Sequence, residues 1–160
     1  MIALRPMGEA DLPFLKDLYG STREQELELT DWTPEQKKRF IAFQFAAQHE
    51  HYLKHYTGCE FNVAEVDGLR AGRLYIARWK DEIRVIELTL MPEFRGQGMG
   101  TGLLNDLIAE SRRSGKALSI HVEQFNPAMN LYLRLGFRKI SEYGIYHLLR
   151  RPVDAEVVAD

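Results

Sequence analysis

The alternation of apolar and polar positions changes period several times along the chain, and each change marks an expected element. Residues 2–6 read as a short strand. Glu9-Ala10-Asp11-Leu12 then opens a helix with acids in its first turn, where the macrodipole favours them, and Leu12, Leu15, Leu18 and Tyr19 recur at helical spacing. The stretch 21–32 is acidic and permits a helix. Thr33-Pro34-Glu35-Gln36 has the form of a cap with proline at the first helical position, and from there to Tyr56 the residues Phe40, Ile41, Phe43, Phe45, Ala47, Tyr52 and Tyr56 suggest one broad apolar face. After Gly58 the period becomes two. A strand over 61–66, a hairpin turn at Asp67-Gly68, a partner over 71–79 and a third strand over 83–91 predict an antiparallel meander. Met99, Leu103, Leu104, Leu107 and Ile108 then share a helical face that stops at Ser114-Gly115. A strand over 117–123, a short helix over 127–135 and two strands near 137–141 and 145–149 complete the order.

That order predicts an α/β fold: a single domain over 1–151 with a mixed, mostly antiparallel sheet of six to seven strands, flanked by about four helices, and a frayed tail over 152–160. A length of 160 residues suits one domain. Twenty-one Lys and Arg against 23 Asp and Glu leave a formal charge of -2, so no global positive field draws the chain to nucleic acid or to an anionic membrane. Cys59 is the single cysteine, which excludes an internal disulfide and a multi-thiolate metal site. No apolar run reaches the roughly 18 residues of a spanning helix, and residues 1–6 lack a signal peptide's apolar stretch, so the expected compartment is cytoplasmic.

The most informative stretch is 88–102, where a strand passes into a helix through Gly96, Gly98, Gly100 and Gly102. Glycine turns through positive φ and lets backbone N–H groups approach a ligand, while the helix that follows offers unpaired donors and a positive dipole end. This equips the loop for an anion, most simply a phosphate. Thr101 stands where a dinucleotide-binding G-x-G-x-x-G would need glycine, and no G-x-x-x-x-G-K-[ST] occurs.

Arg95-Gly96-Gln97-Gly98-Met99-Gly100 resembles the R/Q-x-x-G-x-G/A loop of the GCN5-related N-acetyltransferase (GNAT) superfamily, and Asn126-Pro127-Ala128-Met129-Asn130-Leu131-Tyr132-Leu133-Arg134-Leu135-Gly136-Phe137 resembles that family's N-P-A-x-x-L-Y-x-x-L-G-F motif. The detailed resemblance covers about residues 83–143. It implies a sheet splayed between strands 4 and 5, with acetyl-CoA bound in the splay as acyl donor and no metal. The N–H groups of Arg95, Gly96, Gln97, Gly98, Met99 and Gly100, with Thr101, would hold the pyrophosphate. Leu88, Thr89 and Leu90 would pair with the pantetheine arm like an added strand, the Leu90 N–H would polarise the thioester, and Asn126 would hydrogen-bond the arm. Tyr132 would lie beside the sulfur and protonate the departing thiolate.

The base stays open. Many family members carry a glutamate on the fifth strand five residues before the asparagine, and here His121 stands in that place, on one strand face with Ser119 and Glu123. Glu87, Glu123 or a water chain are the alternatives. Gln44 and Gln48, one turn apart among aromatics, form either a pocket wall with polar handles or the wet edge of the apolar stripe, and Trp32, Tyr75 and Glu123 complete the candidate substrate residues. His49, His51 and His55 read as solvated surface. Arg112-Arg113, near Lys116, reads as a solvated helix end. The expected activity is acetyl transfer to an amine of a small molecule, peptide or protein by a monomer or homodimer. Transfer of a longer acyl group, or CoA sensing without turnover, are the alternatives.

Overall fold

The structure of the protein, a computed structural model, describes residues 2–155; the last five residues of the expected tail lie outside them. The elements are β1 (Ile2–Pro6), α1 (Leu12–Ser21), α2 (Glu24–Glu28), α3 (Pro34–His55), β2 (Glu60–Val66), β3 (Leu69–Arg78), β4 (Glu82–Leu90), α4 (Met99–Ser114), β5 (Ala117–Glu123), α5 (Met129–Arg134), β6 (Arg138–Tyr143) and β7 (Tyr146–Arg151), with 3-10 turns at Glu9–Asp11 and Pro92–Phe94. The strands form one mixed sheet in the order β1-β2-β3-β4-β5-β7-β6. Among the described residues the helices number five, close to the about four expected, with the acidic stretch after α1 contributing the short α2.

Local chemistry explains the elements that the sequence pattern announces. Asp67 and Gly68 both take positive φ, 51° and 81°, as a two-residue hairpin turn with the right twist requires. Thr33 caps α3: its Oγ accepts from Gln36 N at 3.2 Å, while Thr33 N donates to the Gln36 side chain at 2.9 Å. Gly115, at φ 70°, ends α4 in the left-handed conformation.

The chain divides into two compact units by its contacts. The first takes the residues up to Leu74 together with Thr89–Gln97. Its core is Leu15, Leu18, Tyr19, Phe45 and Val63, with Met7, Leu12, Phe14, Ile41 and Met91 packed around it. The broad apolar face expected of α3 is not buried as a whole. Phe45 is buried, but Phe43 is 72% exposed, because two residues turn a helix by about 200° and place the two rings on opposite sides. Asp11 anchors the entry to α1: it is buried, accepts from both Arg5 terminal nitrogens at 2.8 Å and from Gly8 N at 2.8 Å, and meets Arg70 at 2.9 Å.

The second unit takes Tyr75–Leu88 and the residues from Gly98 on. The α4 crossover makes β4 and β5 parallel, as short connections cannot. Their register runs from Glu82 beside Ala117 to Val85 beside Ile120, and both strands continue past that stretch. On its other side β5 pairs with antiparallel β7 from Leu118 to Glu123. β7 in turn pairs with β6, whose register shifts between Lys139 and Ser141.

Candidate active site

The glycine loop has the geometry its sequence announces. Gly96 and Gly98 sit at φ 72° and 82°, a Cβ at either would meet nothing within 4 Å, and Gly98 is the N-cap of α4. The N–H groups of Met99, Gly100 and Thr101 fall in the first turn of α4, where a helix has no partners of its own for its backbone donors. The side chains of the loop hold it in place. Arg95 donates from Nε to Leu90 O at 2.8 Å and from Nη2 to Ser21 Oγ at 3.2 Å, and Gln97 Nε2 donates to Glu93 O at 2.7 Å. The Arg95 guanidinium thus staples the loop to the end of β4. Gly72 on β3 approaches that end so closely that a Cβ would lie 2.2 Å from Thr89 O.

In the second unit, Glu87 on β4 lies within electrostatic reach of both His121 on β5 and Tyr132 on α5. Burial along β4 alternates through Val85 and then slips by one at Ile86, so Glu87 falls in phase with half-buried Glu82 and Arg84. Burial first, and then the nearby Arg84 cation, hold His121 below the ordinary imidazole value, against the opposing pull of Glu87 and Glu82. Its imidazole is therefore neutral at physiological pH. Tyr132 is buried, stacks edge-on against Phe137 at 6.0 Å, and is pushed up to about 12 by burial and by the Glu87 charge. Asn126 Oδ1 accepts from Ala128 N at 2.8 Å, which shapes the entry to α5 and leaves the amide nitrogen as the end that can donate.

The candidate substrate residues are dispersed. Trp32 is partly exposed, edge-on to Phe40 at 5.3 Å. Gln44 is half-buried on α3. Gln48 Oε1 accepts from the buried Arg73 guanidinium at 2.9 Å, so it serves a structural partner that the sequence did not reveal. Tyr75 is a correction: it has no exposure and is core rather than pocket wall, because β3 is buried on both faces from Ala71 to Ala77. Glu123 is half-buried at the end of β5, two residues beyond His121.

Two further groups had no sequence signal. Arg84 donates to Ser119 Oγ at 3.0 Å, pairs with Glu82 at 2.8 Å and lies over the Trp79 ring at 4.8 Å, and Arg150 also reaches Glu82, at 3.3 Å. Arg151, wholly buried, donates to Leu135 O at 2.6 Å, Pro152 O at 3.3 Å and Ala155 O at 2.6 Å. It ties the end of α5, the helix of Tyr132, to the turn after β7.

A family model described as "Acetyltransferase (GNAT) domain" matches residues 28–147, and the chain belongs to this family of acetyltransferases. No curated protein matches. Solved structures share the fold: the PaiA N-acetyltransferase from Thermoplasma acidophilum in complex with coenzyme A is similar at TM-score 0.68 and 16% identity, over 95% of this chain and 99% of that one. A GNAT family acetyltransferase from Elizabethkingia anophelis with acetyl-CoA bound aligns at TM-score 0.58 and 21% identity, over 94% and 97%. The ribosomal-protein-S18-alanine N-acetyltransferase from Escherichia coli aligns at TM-score 0.60 and 20% identity, over 98% and 96%.

Proposed function

We propose that the protein is an acetyl-CoA-dependent N-acetyltransferase in which a primary amine attacks the thioester directly. The observation that carries this reading is the grouping of a neutral imidazole, a buried phenol and a carboxylate (His121, Tyr132 and Glu87) in a chain that also holds a positive-φ glycine loop at a helix N-terminus. The backbone donors from Arg95 to Thr101 take the pyrophosphate. Leu88 to Leu90 pair with the pantetheine arm, the Leu90 N–H aids the thioester carbonyl, and the Asn126 amide holds the arm.

The acceptor arrives as an ammonium and must lose a proton before it can attack. His121, neutral at working pH, takes it, and Glu87 steadies the imidazolium that forms. As the amine nitrogen bonds to the carbonyl carbon, charge develops on the carbonyl oxygen. When the C–S bond breaks, Tyr132 gives its proton to the thiolate, and the second proton that the amine nitrogen sheds as the amide forms restores the phenol. The products are the amide, free CoA and one proton. Direct attack is favoured over an acyl-enzyme because burial pushes the only thiol, Cys59, above its ordinary value and keeps it protonated.

Thiol release from acetyl-CoA across a panel of primary amines tests this. Amine-dependent release, with the acetylated amine detected by mass, is the expected result. Binding of CoA without release for any amine would overturn it and leave a sensor.

A further inference from the structure

The outward face of α3 carries a repeat that the core of the first unit does not use. Arg39, Phe43, Ala46, Glu50 and Leu53 follow one another at intervals of four, three, four and three residues, and all five are exposed. That is the spacing at which two helices pack knobs into holes along a shared seam. The core takes the opposite side of the helix, where Phe45 is buried against Tyr19 and its neighbours. Phe43 stands out from the seam at 72% exposure and Leu53 at 49%.

The same surface holds a place for such a ring. A groove of about 530 Å³ is lined by Ala46, His49, Glu50 and Leu53 of α3, with Phe45 and with Leu12 of α1. Positions i, i+3, i+4 and i+7 of a helix form the four-cornered hole that takes a knob from a facing helix, and Ala46, His49, Glu50 and Leu53 have that spacing. A second copy of the chain therefore supplies a knob for this hole and a hole for this knob, the self-complementarity that a two-fold pair requires.

Charge selects the direction of pairing. With two α3 helices antiparallel about Ala46, Phe43 comes level with the partner's His49, at the hole. Arg39 comes level with the partner's Leu53, and the partner's Glu50 is then about 4.5 Å along the axis, within reach of a guanidinium. Symmetry makes this pair twice. The small Ala46 side chains meet at the two-fold, where they let the helices approach closely. Packed parallel, Arg39 would face Arg39 and Glu50 would face Glu50, which like charges oppose.

We propose that α3 pairs antiparallel with α3 of a second copy through this seam, Phe43 of each chain entering the groove of the other. The assignment is independent of the catalytic reading. A seam about 21 Å long and one helix wide falls short of the roughly 800 Å² per partner of a standard interface, so the dimer is a reversible one that forms with rising concentration.

The test is analytical ultracentrifugation of the full chain from about 1 to 500 µM, the range suited to a small reversible interface. The expected result is a mass that rises from the 18.5 kDa of one chain to twice that. Phe43→Ser should move the midpoint at least tenfold toward higher concentration. Arg39→Glu and Glu50→Arg should each weaken the dimer as well, and the double variant Arg39→Glu/Glu50→Arg should restore it, because it exchanges the two charges of the pair. These side chains are exposed, and circular dichroism at low concentration checks that each variant keeps its fold. A chain that stays monomeric throughout, a mass beyond the dimer, or a midpoint indifferent to Phe43→Ser overturns the seam. So do single charge reversals without effect, or a double variant as weak as its parents. Amine acetylation stands or falls separately, on thiol release.

Discussion

A phenol walled in by Phe137 and facing a carboxylate keeps its proton well beyond neutral pH, and Tyr132, at about 12, does so. It is therefore fully protonated at neutral pH, the condition that the general acid of the proposed mechanism must meet. Tyr132→Phe preserves the packing and deletes only the proton, so kcat should fall roughly hundredfold, at the low end for general acids, with a smaller change in KM for acetyl-CoA; steady-state kinetics decide it. For His121 the sign runs the other way. Burial and Arg84 lower its pKa, and the proposed mechanism uses the neutral form, so activity should hold from neutral pH down past the ordinary imidazole value of about 6.5 before it falls. In His121→Ala that acidic limb of the kcat/KM profile should vanish along with most of the activity. Asp11 affects folding alone. Its two arginines hold its carboxyl far below the ordinary aspartate value, so its contribution is present at neutral pH and is lost as acid protonates it below about pH 4. Asp11→Asn should cost about 2–4 kcal/mol at pH 7, a deficit that narrows toward pH 2 in denaturant titrations.

Among the elements, those specified by neighbouring residues were legible in the sequence. The Asp67-Gly68 hairpin, the Thr33 cap and the Gly115 stop each follow from a turn or cap that only certain side chains satisfy, and the glycine loop follows from its φ values. What was hidden depends on residues far apart in sequence. Tyr75 has the same alternation as a half-buried strand residue, and only packing on both faces of β3 makes it core. Gln48 looks like a pocket handle until Arg73 is found beneath it. The broad stripe of α3 failed because Phe43 and Phe45 cannot share one face of a helix. The loop itself gives the sharpest element-level prediction. Gly98→Val forces a β-branched residue to φ 82°, with open space around it, so the cost falls on backbone conformation rather than on packing. Calorimetric titration should show CoA affinity reduced tenfold or more while the mutant still melts cooperatively.

For the molecule as a whole, the mixed sheet and the family were readable from the order of elements and the two motifs. The place of β7 between β5 and β6 was not, because strand order within a sheet leaves no local trace. The buried Arg151 was equally invisible, since an arginine near a chain end usually reads as surface; two of its carbonyl partners, Pro152 and Ala155, follow it closely in sequence, but only the fold brings it to Leu135 O. Ligand linkage tests the whole. At about 100 times its Kd, CoA adds about 2.7 kcal/mol, which for a chain of this size is a rise in Tm of roughly 5–10 °C in a scanning melt. One feature of the sheet bears on behaviour at high concentration. β6 is last in the strand order and exposed at every position, the arrangement that invites a foreign strand to add and fibres to grow. Arg138 and Lys139 place charge on that margin, and the shift at Ile140 throws its free carbonyl and amide rhythm out of step with any straight strand. The irregularity is thus a guard against clumping, and a variant engineered to straighten the strand by deleting Ile140 would trade solubility for regularity.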